Sequence, residues 1–244
     1  MSFLNNLSND SCSNILSCLS CKLRSEEWTK LKKDDLALLS QSKTQNHYLA
    51  GQTIFYQGNP CLGLFCIASG TVTLRKIDIN GHESIVRLLQ PGSPMGALSF
   101  FAGLKYKVSA VALTDCTICF IDQMTLNDIL SRNSEVSTIF LRNVSRLLID
   151  EEEKLHFSHY PVRYRLIHFV LSLKDYYGSI NEQGNLIIQL PMSRKDIAII
   201  LFARPETLSR LLRQLSDQNI MSFNKQTITI PDLDLLFDEI EPYL

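Results

Sequence analysis

The sequence predicts an α+β chain: a β-rich front part, one long helix, then two short helices followed by a two-stranded wing. Three observations predict it. Glycines recur at Gly51, Gly58, Gly70, Gly81 and Gly92 between strand-length segments; the stretch from Val136 to Phe157 holds neither Gly nor Pro; and two helical patterns broken at Arg204–Pro205 stand ahead of MSFNKQTITIPD. The 244 residues are 45% hydrophobic and 20% charged, with a formal net charge of -1, an ordinary globular balance. No apolar run reaches the length of a membrane span, and MSFLNNLSNDSCS lacks the basic-then-apolar order of a signal peptide, so a cytoplasmic protein with no membrane partner is expected. Thiols stay reduced in that compartment, and seven cysteines, an odd number, fit pairwise bridging poorly.

Residues 1–34 are read as an N-terminal segment carrying CSNILSCLSC, three cysteines within ten residues. A short helical stretch, SEEWTKLKKDDLALLSQS, leads into residues 35–132, where TIFYQ, LFCIAS, TVTLRKI, SIVRLL, VSAVAL and CTICFID alternate with turn signals such as Asn80–Gly81. That pattern indicates an antiparallel barrel or sandwich. No helix-length amphipathic runs separate the strands, which argues against a parallel α/β arrangement.

Residues 133–160 read as one long helix. Val136, Phe140, Val144, Leu147 and Leu148 recur at three-to-four spacing and make an apolar stripe. Lying between two domains, the stripe suits helix pairing in a homodimer; packing on its own barrel is the other reading. Asp150, three residues past Leu147, adds a carboxylate near the stripe whose repulsion would keep the pairing reversible.

Residues 161–244 contain SRKDIAIILFARPETLSRLLRQLSDQNI. Ser193 with Asp196 three residues later is a capping-box start for a first helix. Pro205 suits the first turn of a second, because its missing N–H has no partner there anyway. In that second helix Leu208, Leu211, Leu212 and Leu215 share one face, while Glu206, Ser209, Arg210 and Arg213 occupy the opposite one. With the short turn and the wing, this is the pattern of a winged helix-turn-helix, whose second helix enters the DNA major groove. Arginine can bond guanine O6 and N7 together, glutamate can accept from cytosine N4, and serine can reach base or phosphate. Residues 191–225 hold six Lys/Arg against three Asp/Glu, whereas the last nineteen residues hold five acids and no Lys or Arg. Glu206, Ser209, Arg210 and Arg213, with Ser193 and Arg204 beside them, are therefore the candidate contacts to double-stranded DNA.

The order barrel, long helix, winged helix-turn-helix, with ETLSRLL in the second short helix, resembles the CRP/FNR superfamily of bacterial transcription regulators. The resemblance runs from about Asp35 to Ile230. It implies a double-stranded β-helix barrel of the cyclic-nucleotide-binding type, a long dimerisation helix, a homodimer on a palindromic promoter site, and contact with RNA polymerase. The E-x-x-S-R pattern resembles the FNR branch, where the matching residues read a TTGAT half-site; here they are Glu206, Ser209 and Arg210. Two positions depart from the family: Phe202 stands where glycine is frequent before the turn, and Arg204 replaces a Ser or Thr helix cap.

The same resemblance bears on ligands. Cyclic-AMP-binding members hold the phosphate with a glutamate and an arginine, but the matching stretches here read GALSFF and VSAVAL. Ala97 and Val108 then replace the two charged groups, so no cyclic AMP binding is expected. Oxygen-responsive FNR proteins hold a [4Fe-4S] cluster with N-terminal cysteines and one barrel cysteine, four thiolates in all. By that likeness Cys12, Cys18, Cys21 and Cys119 are the candidate ligands, and oxygen or nitric oxide the candidate signal. Cys116 lies three residues before Cys119 and so faces the other side of a strand. Cys61 and Cys66 read as ordinary packing. The spacing C-x5-C-x2-C inverts the family's usual C-x2-C-x5-C, and Glu27 stands where a third cysteine would follow Cys21.

Zinc in a four-thiolate site stays open as the occupant. So does cluster-free control by cysteine oxidation, by haem, by a small effector, or by none. An iron–sulfur or thiol redox enzyme is the alternative of another class. No nucleotide-binding glycine loop, HExxH pair or Ser/Cys nucleophile motif supports it, and no enzyme is expected.

Overall fold

The computed structural model describes residues 18–19, 21 and 26–241. The chain divides into two compact units, one ending at Leu147 and one beginning at Leu148. In the front unit α1 (Glu26–Thr29) and α2 (Lys33–Ser42) precede β1 (Thr44–Tyr48), β2 (Thr53–Phe55), β3 (Gly63–Ser69), β4 (Val72–Ile77), β5 (Glu83–Leu89) and β6 (Pro94–Met95). The helix α3 (Ala97–Phe101) follows, then β7 (Ser109–Ala112) and β8 (Cys116–Asp122). The strands form two antiparallel four-stranded sheets, ordered β1-β8-β3-β6 and β2-β7-β4-β5. This is the expected double-stranded barrel.

Strand alternation sorts the side chains into two layers. Phe55, Ile67, Val72, Met95, Cys116 and Ile118 fill the space between the sheets, where Phe55 and Tyr106 stack at 4.2 Å. Leu64 and Ile121 point the other way, into a second cluster with Trp28 and with Leu36 and Leu39 of α2. One glycine is required by close approach. At Gly70 (φ 84°) a Cβ would lie 2.4 Å from the Asp115 carbonyl oxygen and 2.5 Å from the Cys116 sulfur. The sequence reading passed over β1, β6 and α3. Most of the side chains of β1 (TQNHY) are exposed, so it offers no apolar alternation to read.

The chain then enters α4 (Gln123–Arg132), capped by the Asp122 carboxylate, which accepts from the Thr125 N–H. It continues into α5 (Ser134–Phe157), a 24-residue helix. Here two expected pairing residues need correction. Val136 is 0% and Phe140 2% exposed, because both are covered by the front unit's own helical layer. Phe140 meets Trp28 at 5.3 Å and Phe101 at 5.2 Å. The start of the helix thus serves the protomer's core, as the other reading had it. Val144 and Leu147 are half-buried, and Leu141, Leu148 and Ile149 are exposed apolar side chains among the described residues of α5. The Asp150 side chain lies outside the described residues.

After the last turns of α5, the back unit continues with α6 (Val162–Tyr177), β9 (Gly178–Ile180), β10 (Leu186–Gln189), α7 (Arg194–Ile200), α8 (Pro205–Asp217), β11 (Ser222–Asn224), β12 (Thr227–Ile230) and α9 (Leu233–Asp238). The wing strands β11 and β12 were expected; β9 and β10 were not. Together they make one antiparallel sheet in the order β11-β12-β10-β9. The three-residue β9 is fully exposed, which left it no sequence signal. Arg163 of α6 ties the C-terminal end down: its Nε and Nη2 donate to the two Glu239 carboxylate oxygens at 2.6 and 2.7 Å. That pairing holds the Glu239 carboxyl below its ordinary pKa.

Candidate functional site

The first candidate site is α8. Leu208, Leu211, Leu212 and Leu215 are its buried residues, and they clamp the helix to the back unit. Glu206, Ser209, Arg210 and Arg213 are exposed. The helix starts at Pro205, with Arg204 at its N-cap making no side-chain cap bond. Arg204 is also exposed. The result is a rigid rod offering one carboxylate, one hydroxyl and guanidinium groups to solvent, the donor and acceptor set that reads base edges.

Its orientation is set by α7 and the turn between them. Ser193 and Asp196 form the expected capping box, with each side chain bonded to the other's backbone N–H. The Ser193 hydroxyl also bonds Asp196 Oδ2 at 2.7 Å, so this exposed candidate contact already serves the cap. At its other end α7 closes with a Schellman turn: the Ala203 N–H donates to the Ala198 carbonyl at 2.9 Å and the Phe202 N–H to that of Ile199 at 3.1 Å. Phe202 takes the left-handed position of that turn, φ 48°, which glycine usually occupies. Phe202 therefore holds a strained conformation that glycine would adopt freely. Arg165, buried on α6, donates from Nη1 to the Leu201 carbonyl and fixes the turn from beneath. Arg194 anchors α7 to the wing, with Nη2 donating to the Phe223 carbonyl at 3.0 Å and its guanidinium 4.6 Å from the Phe223 ring centroid.

The second candidate site lies in the front unit, on the outer face of the sheet that contains β3 and β8. Cys18, Cys21, Cys66 and Cys119 line one cavity of about 50 Å³. Trp28, Leu39 and Ile121 give it apolar walls, and Lys43 supplies a cation. The Lys43 Nζ lies 3.8 Å from the Cys119 sulfur. Cys18 is held by its N–H, which donates to Ser40 Oγ at 2.6 Å. Burial pushes the Cys119 thiol up in pKa; Lys43 opposes this, and the neighbouring Cys18 and Cys21 add to it. Trp28, a pocket wall, carries a buried indole N–H with no acceptor among the described residues. Cys116 is on the opposite face of β8, as alternation demands, with its sulfur 3.3 Å from the Thr71 carbonyl oxygen.

The six described cysteines are all free thiols. Among the described residues no three Cys, His, Asp or Glu side chains stand close enough to hold a single metal ion. Cys12 lies outside them. Four thiols, an apolar wall, one cation and an orphaned N–H are the chemistry that suits a thiolate-bound iron–sulfur cluster. Cys66, read from the sequence as ordinary packing, does pack against the outer cluster, and its register opposite Cys119 also brings it to the cavity.

A barrel with a pocket joined in one chain to a winged helix-turn-helix defines a DNA-binding regulator. Comparison with known proteins gives the family. Residues 45–133 match the cyclic nucleotide-binding domain and residues 164–238 the Crp-like helix-turn-helix domain. The chain is 29% identical over 182 residues to the global nitrogen regulator of Nostoc sp., covering 73% of this chain and 81% of that protein. It is 28% identical over 188 residues to the anaerobic regulatory protein of Pasteurella multocida, covering 77% and 68%. Among solved structures, FixK2 from Bradyrhizobium japonicum superposes with a TM-score of 0.68 at 23% identity, over 80% of this chain and 96% of that one. The chain belongs to the CRP/FNR family of transcription regulators, and its relatives are regulators and not enzymes. No helix among the described residues is long and apolar enough to cross a membrane.

Proposed function

We propose that this chain is a cytoplasmic, homodimeric regulator of the FNR branch. It reads a palindrome of TTGAT-like half-sites through Glu206, Ser209 and Arg210, with Arg213, Arg204 and Ser193 at the margins, and it contacts RNA polymerase. The observation that carries this reading is the division of α8: leucines buried on one face, the E-x-x-S-R side chains exposed on the other. The working segments are residues 1–34 for the thiols, 35–132 for the sensor, 133–160 for pairing and 161–244 for DNA. Pairing uses the exposed Leu141 and Leu148 with the half-buried Val144 and Leu147. It places two half-sites about one DNA turn apart, as a two-fold site requires.

The sensor reading is a [4Fe-4S] cluster in the thiol pocket, with oxygen or nitric oxide as the signal. What supports it is the meeting of N-terminal and barrel thiols at one cavity. Among the described residues no three of these side chains stand close enough to hold one metal ion, which disfavours a single zinc. When bound, a cluster supplies a crosslink that oxidants dismantle. Cys18 and Cys21 tether the N-terminal segment, and Cys119 with its sheet receives it. Cyclic AMP is not proposed as the ligand: Ala97 is buried and Val108 packs against the barrel interior, so neither supplies the charge a phosphate needs.

Gel retardation on TTGATNNNNATCAA against a scrambled duplex, with anaerobically purified protein, tests the DNA reading. Equal affinity for both duplexes defeats it. Visible absorption with iron and acid-labile sulfide analysis tests the sensor. A colourless, iron-free protein that binds DNA no better than its Cys18→Ser variant supports the second reading, a cluster-free regulator controlled through thiol oxidation or an effector.

A further inference from the structure

We infer that Cys66 is a ligand of the cluster, completing the set Cys18, Cys21, Cys66 and Cys119, and that Cys12 is dispensable. The inference rests on the sensor reading above and changes its ligand assignment. Cys66 and Cys119 are paired residues of the antiparallel strands β3 and β8. Side chains directly opposite across two antiparallel strands share one face. That face is the outer one, since Leu64 and Ile121, two residues away on either strand, both belong to the outer cluster. Cys66 packs against this cluster with Cys18. The sheet thus brings two thiols to the cavity, and the N-terminal segment brings two more.

The other described cysteines point elsewhere. The Cys116 sulfur donates to the carbonyls of Thr71 and Thr114 at 3.3 and 3.1 Å inside the barrel. The Cys61 sulfur lies 3.6 Å from the Gly63 carbonyl oxygen and 3.9 Å from that of Gly96. A [4Fe-4S] cluster takes four thiolates, and the pocket already has four. This accounts for the altered spacing of the early cysteines. A site that draws a C-x2-C pair from the N-terminal segment and a cross-strand pair from the sheet has no need of a third early thiol, so Glu27 can stand where one would be. Ligation is an exchange: each thiol releases its proton to solvent as its sulfur takes up one iron, and the protein sulfurs change no oxidation state. Lys43 beside Cys119 offsets part of the thiolate charge that results.

The test uses full-length protein reconstituted anaerobically as wild type, Cys12→Ser, Cys18→Ser, Cys66→Ser and Cys66→Ala, with circular dichroism to establish folding of each. Iron and sulfide per chain are the readout. Wild type and Cys12→Ser should each hold about four irons, and both Cys66 variants and Cys18→Ser should fall at least about fivefold below them. Iron retained without Cys66 but lost without Cys12 overturns the assignment while leaving the sensor reading intact. No iron in the wild type defeats both. Should the Cys66 variants misfold, alkylation of the loaded wild type followed by mass spectrometry decides. Cys66 protected and Cys12 modified upholds the assignment; the reverse pattern overturns it.

Discussion

The two candidate sites are built by opposite means. The exposed polar face of α8 comes from a single run of 13 residues, and a period of 3.6 alone sets its side chains apart from the leucines. The thiol pocket draws on Cys18, Cys21, Cys66 and Cys119, spread over some hundred positions, and is assembled by the register of β3 against β8. A helical site is a property of local sequence. A site on a sheet is a property of pairing, which no single strand encodes.

The largest effects test whether the two faces of α8 are separable. Arg210→Ala should cost about 1–3 kcal/mol of binding per half-site, doubled across a palindrome, yet leave the melting temperature unchanged. Leu215→Ala, at a residue with no exposure, should destabilise the back unit by about 2–5 kcal/mol. Loss of stability in the first variant, or none in the second, would break the comparison. A smaller effect sharpens it at the turn. Phe202 holds a left-handed conformation that costs an L-residue about 1–2 kcal/mol, and glycine gives back about 0.5–1 kcal/mol through its freer unfolded chain. Phe202→Gly should therefore stabilise the unit by about 0.5–1 kcal/mol in denaturant melts, with specificity unchanged. The smallest effect concerns the pocket. The Lys43 cation favours the Cys119 thiolate against the pull of burial. In Lys43→Ala the pH profile of Cys119 alkylation in metal-free protein should move to higher pH, and labelling at pH 8 should slow.

What was legible in the sequence follows the same division. The capping box at Ser193 and Asp196, the break at Pro205 and the leucine face of α8 are local, and each stands where the pattern put it. The barrel strands with alternating apolar residues were equally plain. The edge strand β1 and the exposed β9 carry too little apolar surface to announce themselves. Val136 and Phe140 lie on an apolar stripe, but periodicity cannot say what covers it; the outer cluster that includes Trp28 does. Cys66 was read as packing and does pack against the outer cluster, but nothing in LFCIAS reveals its neighbour on β8.

Cys116 has a use in the laboratory. Sealed between the sheets, with Gly70 pressed against its sulfur, it is shielded from any reagent too large to slip past the strands. Labelling of Cys116 by a bulky maleimide would therefore report a barrel that has opened.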